Sequence, residues 1–311
     1  MFLLGLAVPI SIYLYICMES AEIISILGNF LANLMEISVL PTPVEPNNNI
    51  LKTIKHHMID IADPTENFDV IQYSKLATNI ILDIFKRGKI PILVGGSGLY
   101  ITSIIEPIFS GPNKDSIYRE ILEEKSKICG KEYLYNKLVK IDPISASKIN
   151  SNDLKRIIRA LEVYQSTGKT ISYLQKKAYN KNAKFKYQII GLKRNREKLY
   201  QKINSRVDKM IKDRLIEEVK MLRERGYNEN LNSMQGLGYK QINKYLDGEY
   251  DQETAINLIK RDTRRYAKRQ MTWFNHKIKN IEWIDLDEYD DNETVSKIKN
   301  IIDNKCRGSI H

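Results

Sequence analysis

A chain of 311 residues with a formal net charge of +11 has room for one large domain or two smaller ones around a sizeable core. Its three cysteines, Cys17, Cys129 and Cys306, are odd in number and scattered, which excludes a disulfide framework and a cysteine metal cluster and points to a reducing, cytoplasmic setting. Residues 1–50 hold four acids and no Lys or Arg, so all 49 basic residues lie in 51–311, against 34 of the 38 acids. A body so basic fits a polyanionic partner, nucleic acid first, or a Lys-rich solvated surface.

The chain opens on MFLLGLAVPISIYLYICM, apolar enough to imitate a leader or a short membrane span. It has no positive n-region and no flanking basic anchors, so no membrane association is expected. From about residue 55 the text becomes that of a globular enzyme. His57 to Ile61 reads as a short strand, ended by Asp63-Pro64. His56 and His57 are adjacent, and neighbours on a strand face opposite ways, which is poor geometry for one metal. Tyr73 to Arg87 has helical periodicity and Ile90 to Val94 is the next apolar run, an order that predicts a right-handed parallel crossover.

That second run ends on Gly95-Gly96-Ser97-Gly98 and resumes as the helical pattern Leu99-Tyr100-Ile101. A buried strand, a glycine turn and a helix start are the layout of a phosphate or substrate loop at the carboxyl edge of a parallel sheet. Glycines let the backbone approach an anion, and a helix N-terminus offers free N–H groups. Such a loop works beside a Walker-type loop, yet G-x-x-x-x-G-K-[ST] occurs nowhere in the 311 residues.

Residues 114–182 are charged and rich in helical pattern, an expected helical insertion between core segments 51–113 and 183–311. Within it, Asp153 to Glu162 reads as a helix bringing Lys155, Arg156 and Arg159 close together. Arg156 and Arg159, at i and i+3, could grip phosphates, or form an exposed face balanced by Asp153 and Glu162. Tyr187 to Leu192 returns as a strand. Two long helices are predicted at 196–225 and 256–275, and 281–286 adds a last strand. Arg206 opens RVDKMIKDRLIEEVKML, where it reaches a cleft or pairs with Asp208. Ser233-Met-Gln-Gly-Leu-Gly-Tyr-Lys240 is a polar glycine turn in which Gln235 reads a base edge or a backbone oxygen, or merely joins helices. Residues 260–274 gather Lys260, Arg261, Arg264, Arg265, Lys268 and Arg269 with Tyr266, Trp273 and Phe274. The basic face suits phosphates, while Trp273 and Phe274 read as core or as stacking groups.

Taken in order, HHMIDI, ILVGGSGLYI, NDLKRIIRALEVYQSTGKTIS, RVDKMI with LIEEVKML, SMQGLGYK and RDTRRYAKRQMTWF resemble the tRNA dimethylallyltransferase (tRNA isopentenyltransferase) family from about Ile54 to Trp283. Arg214 departs from it, standing where the family usually has glycine. The resemblance implies an α/β fold, a P-loop NTPase-like parallel sheet core with a helical insertion domain. It implies transfer of the dimethylallyl group of dimethylallyl diphosphate to N6 of the adenosine 3′ of the anticodon, with Mg2+ and a cytoplasmic monomer. Ser97 and Arg206 match catalytic positions, and Gly95, Gly96, Gly98, Tyr100 and Gln235 substrate-binding ones. Lys155, Arg156, Ile157, Ile158 and Arg159, with Lys260, Arg264, Arg265, Lys268 and Arg269, match positions that bind the tRNA anticodon stem-loop.

Two family parts are missing: the Walker loop and a D-S-M-Q motif whose Asp accepts the N6 proton. Both belong where the alien residues 1–50 now stand. Reverse-complementing any codons for Val39 to Pro46 and shifting the frame by one base gives Gly-Ser-Thr-Gly-Val-Gly-x-Thr. The open position is Lys when Leu40 uses TTA or TTG and Val39 ends in T or C. The same operation on Tyr15 to Glu22 permits Ser-Ala-Asp-Ser-Met-Gln-Ile-Tyr, and on Gly5 to Ile10 Ile-Gly-Thr-Ala-Lys-Pro. Roughly the first 47 codons therefore read as an inverted DNA segment, and the chain as written is expected to be impaired or inactive. The competing expectations are a non-catalytic tRNA-binding remnant and a membrane-anchored form using residues 1–18.

Overall fold

The computed structural model describes residues 12–15, 57–58, 61–87, 91–106, 109–179 and 185–307, excepting the side chains of 12–15, 179, 303 and 305–307. The chain divides into two compact units, one made of Met1–Ile104 with Phe185–His311 and the other of Ile105–Lys184.

The first unit is the α/β core. Its strands are β1 (Ile12–Tyr15), β2 (Ile92–Gly95), β3 (Gln188–Lys193) and β4 (Ile281–Asp285), in the sheet order β2-β1-β3-β4. β3 and β4 pair in parallel, and β1 pairs antiparallel with both β2 and β3. β2, β3 and β4 therefore run one way, as a parallel core requires, and β1 alone runs against them. Of the predicted 57–61 strand, His57, Met58 and Ile61 lie outside any strand, and 59–60 lie outside the described residues. Met58 has φ +64°, a left-handed conformation that no strand accommodates.

The helices of this unit are α1 (Val70–Lys86), α2 (Gly98–Ile105, which crosses the boundary at its last residue), α8 (Arg196–Lys212), α9 (Leu215–Glu224), α10 (Tyr239–Leu246), α11 (Gln252–Lys277) and α12 (Asp291–Arg307). The single helix predicted over 196–225 is in fact α8 and α9, broken at Asp213-Arg214, where Arg214 has φ +69°. Val207, Met210, Leu215, Val219, Leu222, Met234, Ile242 and Ile259 form one core cluster between α8, α9, α10 and α11. Leu199, Ile203 and Ala267 form a second between α8 and α11. Helix α12, which sequence reading missed, has a capping pair in which Asp290 Oδ1 accepts from Glu293 N at 2.8 Å and Glu293 Oε2 from Asp290 N at 3.0 Å. Ile298 and Ile302 on this helix are buried. No helix among the described residues is long and apolar enough to cross a membrane; apart from 12–15, the apolar opening lies outside the described residues.

The second unit is helical: α3 (Ser116–Cys129), α4 (Lys131–Ile141), α5 (Pro143–Ala146), α6 (Leu154–Thr167) and α7 (Ile171–Tyr179). Asp153 caps α6, accepting from Arg156 N at 3.2 Å, and Gly168 ends it in the left-handed region at φ +65°. Its core joins Leu122, Leu134, Leu138, Ala146, Ile157, Ile158, Ala160 and Leu161. Cys129 is exposed and free.

Candidate functional site

The glycine turn leaves β2 at Gly95 and enters α2 at Gly98. Two side chains of α11 hold it. Gln270, buried, donates its Nε2–H to the Gly96 carbonyl at 2.7 Å. Trp273 lies so close over Gly98 that a Cβ there would enter the indole ring. The indole Nε1–H donates to Thr102 Oγ1 at 3.4 Å, and the Thr102 hydroxyl in turn donates to the Gly98 carbonyl at 2.7 Å. Glycine at 98 is thus a demand of packing. At Gly95 a Cβ would meet nothing within 4 Å among the described residues.

The Ser97 hydroxyl is half-buried and has no protein partner among the described residues. Its carbonyl starts α2 by accepting from Ile101 N at 3.0 Å. Tyr100 stacks on Tyr73 of α1, with ring centroids 4.3 Å apart and planes at 16°. Burial raises the pKa of both phenols, so both stay neutral donors. The Ser74 hydroxyl donates to the Ser103 carbonyl at 2.9 Å and fixes α1 against α2.

Arg206 projects from the buried face of α8, between Ile203 and Val207. It is 9% exposed, and its Nε and Nη2 have no hydrogen-bond partner among the described residues. The Asp208 alternative is closed, because Asp208 pairs with Lys260 at 2.5 Å. Burial lowers the Arg206 pKa to about 9, which still leaves it cationic at neutral pH. A buried, charged guanidinium with two free donors is costly until an anion meets it.

The basic helix α11 has two faces. Lys260 and Arg264 are tied to α8, the latter donating to Asn204 Oδ1 at 2.7 Å. Arg265, Lys268 and Arg269 are exposed; Arg265 reaches Asp262 at 3.5 Å, and Lys268 and Arg269 have no ion pair among the described residues. Phe274 is fully buried core. Gln235 is exposed and spends its Nε2–H on the Glu229 carbonyl at 2.5 Å, inside the connection from α9 to α10. That connection is anchored by the Ser233 hydroxyl on the Pro64 carbonyl (2.9 Å) and by Asn232 on Asn67 (2.8 Å).

In the helical unit the basic group divides. Lys155 and Arg156 are exposed on α6, with Arg156 Nε 3.3 Å from Asp153. Ile157 and Ile158 are 0% and 4% exposed, so their side chains are core and do not reach a nucleic acid. Arg159 is committed to Glu162 at 2.6 Å and to the Pro112 carbonyl at 3.0 Å, which removes it from a phosphate grip with Arg156. Glu162 also receives Arg119 at 2.7 and 2.8 Å. Burial works against its carboxylate, but the Arg119 and Arg159 hydrogen bonds override that and hold its pKa at about 2. Among the described residues no group of three or more His, Cys, Asp or Glu could hold a metal ion.

Sequence reading found the turn and both basic helices, and missed Gln270 as the turn's clamp. Its signal was present: Gln270 and Trp273 stand at i and i+3, on one face of α11.

A glycine turn between a strand and a helix, a buried arginine with unpaired donors and exposed cations on two helices suit a protein whose ligands carry phosphate. Residues 44–277 match the family model described as IPP transferase, and the chain belongs to that family. The tRNA dimethylallyltransferase of Caldanaerobacter subterraneus subsp. tengcongensis is 51% identical over 242 residues, 77% of this chain and 76% of the relative. That of Acetivibrio thermocellus is 46% identical over 254 residues, 81% of both chains. The solved tRNA isopentenylpyrophosphate transferase of Bacillus halodurans aligns with TM-score 0.58 at 38% identity, covering 90% of this chain and 84% of that one. A eukaryotic dimethylallyltransferase solved acting on tRNA aligns with TM-score 0.66 at 28% identity, covering 84% and 68%.

Proposed function

We propose that this chain is built to transfer a dimethylallyl group from dimethylallyl diphosphate to N6 of the adenosine 3′ of the anticodon in tRNA. The observation that carries the reading is Arg206, a buried cation with two unused donors in the unit that holds the glycine turn. In the transfer, the N6 lone pair forms a bond to the allylic carbon, the carbon–oxygen bond to diphosphate breaks, and N6 loses a proton. Charge builds on the leaving diphosphate, so fixed donors aimed at it lower the barrier. Arg206 supplies a guanidinium for that charge and Ser97 a free hydroxyl, while the glycine turn lets the substrate approach its backbone. Lys155 and Arg156 on α6, and Arg265, Lys268 and Arg269 on α11, are the exposed cations for the tRNA backbone. Tyr100 and Gln235 enter this reading as substrate-binding positions on the family resemblance.

The proton acceptor and the diphosphate cradle are missing from the written sequence, so we expect tRNA binding with little or no transfer. The assay is incorporation of labelled dimethylallyl into tRNA by the 311-residue chain, run beside filter binding. Robust incorporation by the chain as written would overturn the impairment, and failure to bind tRNA would overturn the reading itself. A second reading, a non-catalytic tRNA-binding protein, is favoured by the reversed β1, which begins rather than ends beside the glycine turn. It predicts binding of tRNA with no affinity for diphosphate. Cytoplasmic location and a monomeric state belong to the same proposal.

A further inference from the structure

β1 occupies the slot between β2 and β3 in the wrong direction for the sheet. Its first residue, Ile12, stands opposite both Gly95 and Gly191, and its last, Tyr15, opposite Ile92 and Gln188. The carboxyl ends of β2, β3 and β4 share one edge, where the glycine turn lies. A loop that follows a strand at that edge must follow one running parallel to β2, and β1 ends at the opposite edge. The slot is thus filled, but by a strand that cannot deliver a loop to the site. The match to the family begins at residue 44, so all but the last few residues of the segment before residue 50 lie outside it.

The opposite DNA strand supplies what the slot lacks, and more than the loop alone. In the frame that turns codons 46–39 into the Walker pattern, codons 50–47 give Ile or Met, then Leu, Leu, and Leu or Phe. Both central leucines follow from any choice of asparagine codons for Asn47, Asn48 and Asn49. Beyond the loop, codons 38–31 give Glu, Asp or Leu, then Ile, Ser, Ile or Met, Lys or Arg, Phe or Leu, and Ala. The first stretch is a short buried strand, and the last is a helix start without glycine or proline. Strand, G-x-x-x-x-G-K-T and helix in uninterrupted succession form a phosphate-binding unit, in which loop N–H groups cradle a diphosphate and the lysine reaches its oxygens.

We infer that codons 1 to about 50 are an inverted segment whose opposite strand encodes this chain's own diphosphate-binding strand, loop and helix, and that the slot held by β1 is that strand's place. The charge break at residue 50 follows from the same event, since an opposite-strand reading carries none of the coding strand's Lys and Arg bias. The inference leans on the transferase reading only for its last readout.

The test has two arms. The gene, amplified from fresh genomic DNA and read on both strands over codons 1–55, should show an uninterrupted opposite frame with AAA or AAG at the seventh loop position. A stop codon in that frame, or Asn, Ser or Arg at that position, would overturn the inference. In the second arm the segment is re-inverted, and the two full-length proteins are compared for binding of inorganic pyrophosphate with Mg2+ and for prenylation of tRNA. The re-inverted protein should bind pyrophosphate at least ~100-fold more tightly than the written chain, the scale of losing placed donors to a phosphate or oxyanion. No gain would overturn the inference. A gain in pyrophosphate affinity without prenylation would leave the inverted segment standing and remove the transferase reading. If the re-inverted protein does not fold, the DNA arm still decides.

Discussion

Arg156 and Arg159 stand three residues apart on α6, and replacing each with alanine should produce opposite failures. Arg159 gives Glu162 a charge-assisted bond at 2.6 Å and the Pro112 carbonyl a second bond at 3.0 Å. Glu162 is fully buried, and after Arg159→Ala it keeps Arg119 and the Asp115 N–H at 2.8 Å. The loss is therefore one charge-assisted bond and one bond to a carbonyl, not an orphaned carboxylate. At about 1.5–3 kcal/mol for a bond to a charged group, discounted because the Arg159 side chain is 30% exposed, the cost is about 2 kcal/mol. Arg156 has a 67% exposed side chain and a 3.3 Å contact to Asp153, so Arg156→Ala should change stability by less than about 0.5 kcal/mol. Urea unfolding followed by circular dichroism reads the first quantity. Filter binding of tRNA against salt reads the binding role instead, where Arg156→Ala should lower the log–log slope by about 1 and Arg159→Ala should leave it unchanged. Acid adds a third reading. The Glu162 pKa of about 2 lies below its ordinary 4.5, so its contribution is complete above 4.5 and is lost as pH falls towards 2. With Arg159 removed the depression is smaller, so the acid loss still begins near 4.5 but is smaller in total and is complete at a higher pH. An unchanged urea midpoint for Arg159→Ala, with a salt slope reduced as in Arg156→Ala, would refute the division of roles.

Arg214→Gly should stabilise the chain by about 0.5–1 kcal/mol in thermal unfolding, because φ +69° strains an L residue and the Glu217 pair at 3.9 Å is exposed. Gly98→Ala should cost about 1–3 kcal/mol by driving a methyl into Trp273, and in a Trp283→Phe background the remaining indole emission should shift. Gln270→Leu should free the Gly96 carbonyl and speed amide exchange across 96–101, whereas Gln270→Glu should restore protection only at a pH low enough to protonate the new carboxyl, which can then donate. Equal exchange in the Leu and Glu variants at every pH would show that Gln270 acts by packing alone.

What was legible in the sequence is what local chemistry writes. The apolar run into four residues of glycine and serine announced β2 and its turn, and Asp153 announced the start of α6, although the helix read to Glu162 stops short of its end at Thr167. The break between α8 and α9 was not legible, because the residue in the left-handed position is Arg214, whose type argues for continued helix. Ile157 and Ile158 stand in the tRNA-binding set only through the family resemblance, and a helical period already turns 157, 158 and 161 inwards together. The Gln270 clamp on Gly96 spans 174 residues, a distance over which composition and periodicity say nothing. Strand direction is the deepest such case. A four-residue run such as Ile12–Tyr15 pairs as well antiparallel as parallel, since each face presents the same alternation either way. Direction matters only through what the strand carries to its two ends, and here it is the first residue of β1, Ile12, that stands beside Gly95. A wrong-way strand can thus satisfy the backbone hydrogen bonds of the sheet while withholding the loop, so loss of activity need not be accompanied by loss of the sheet.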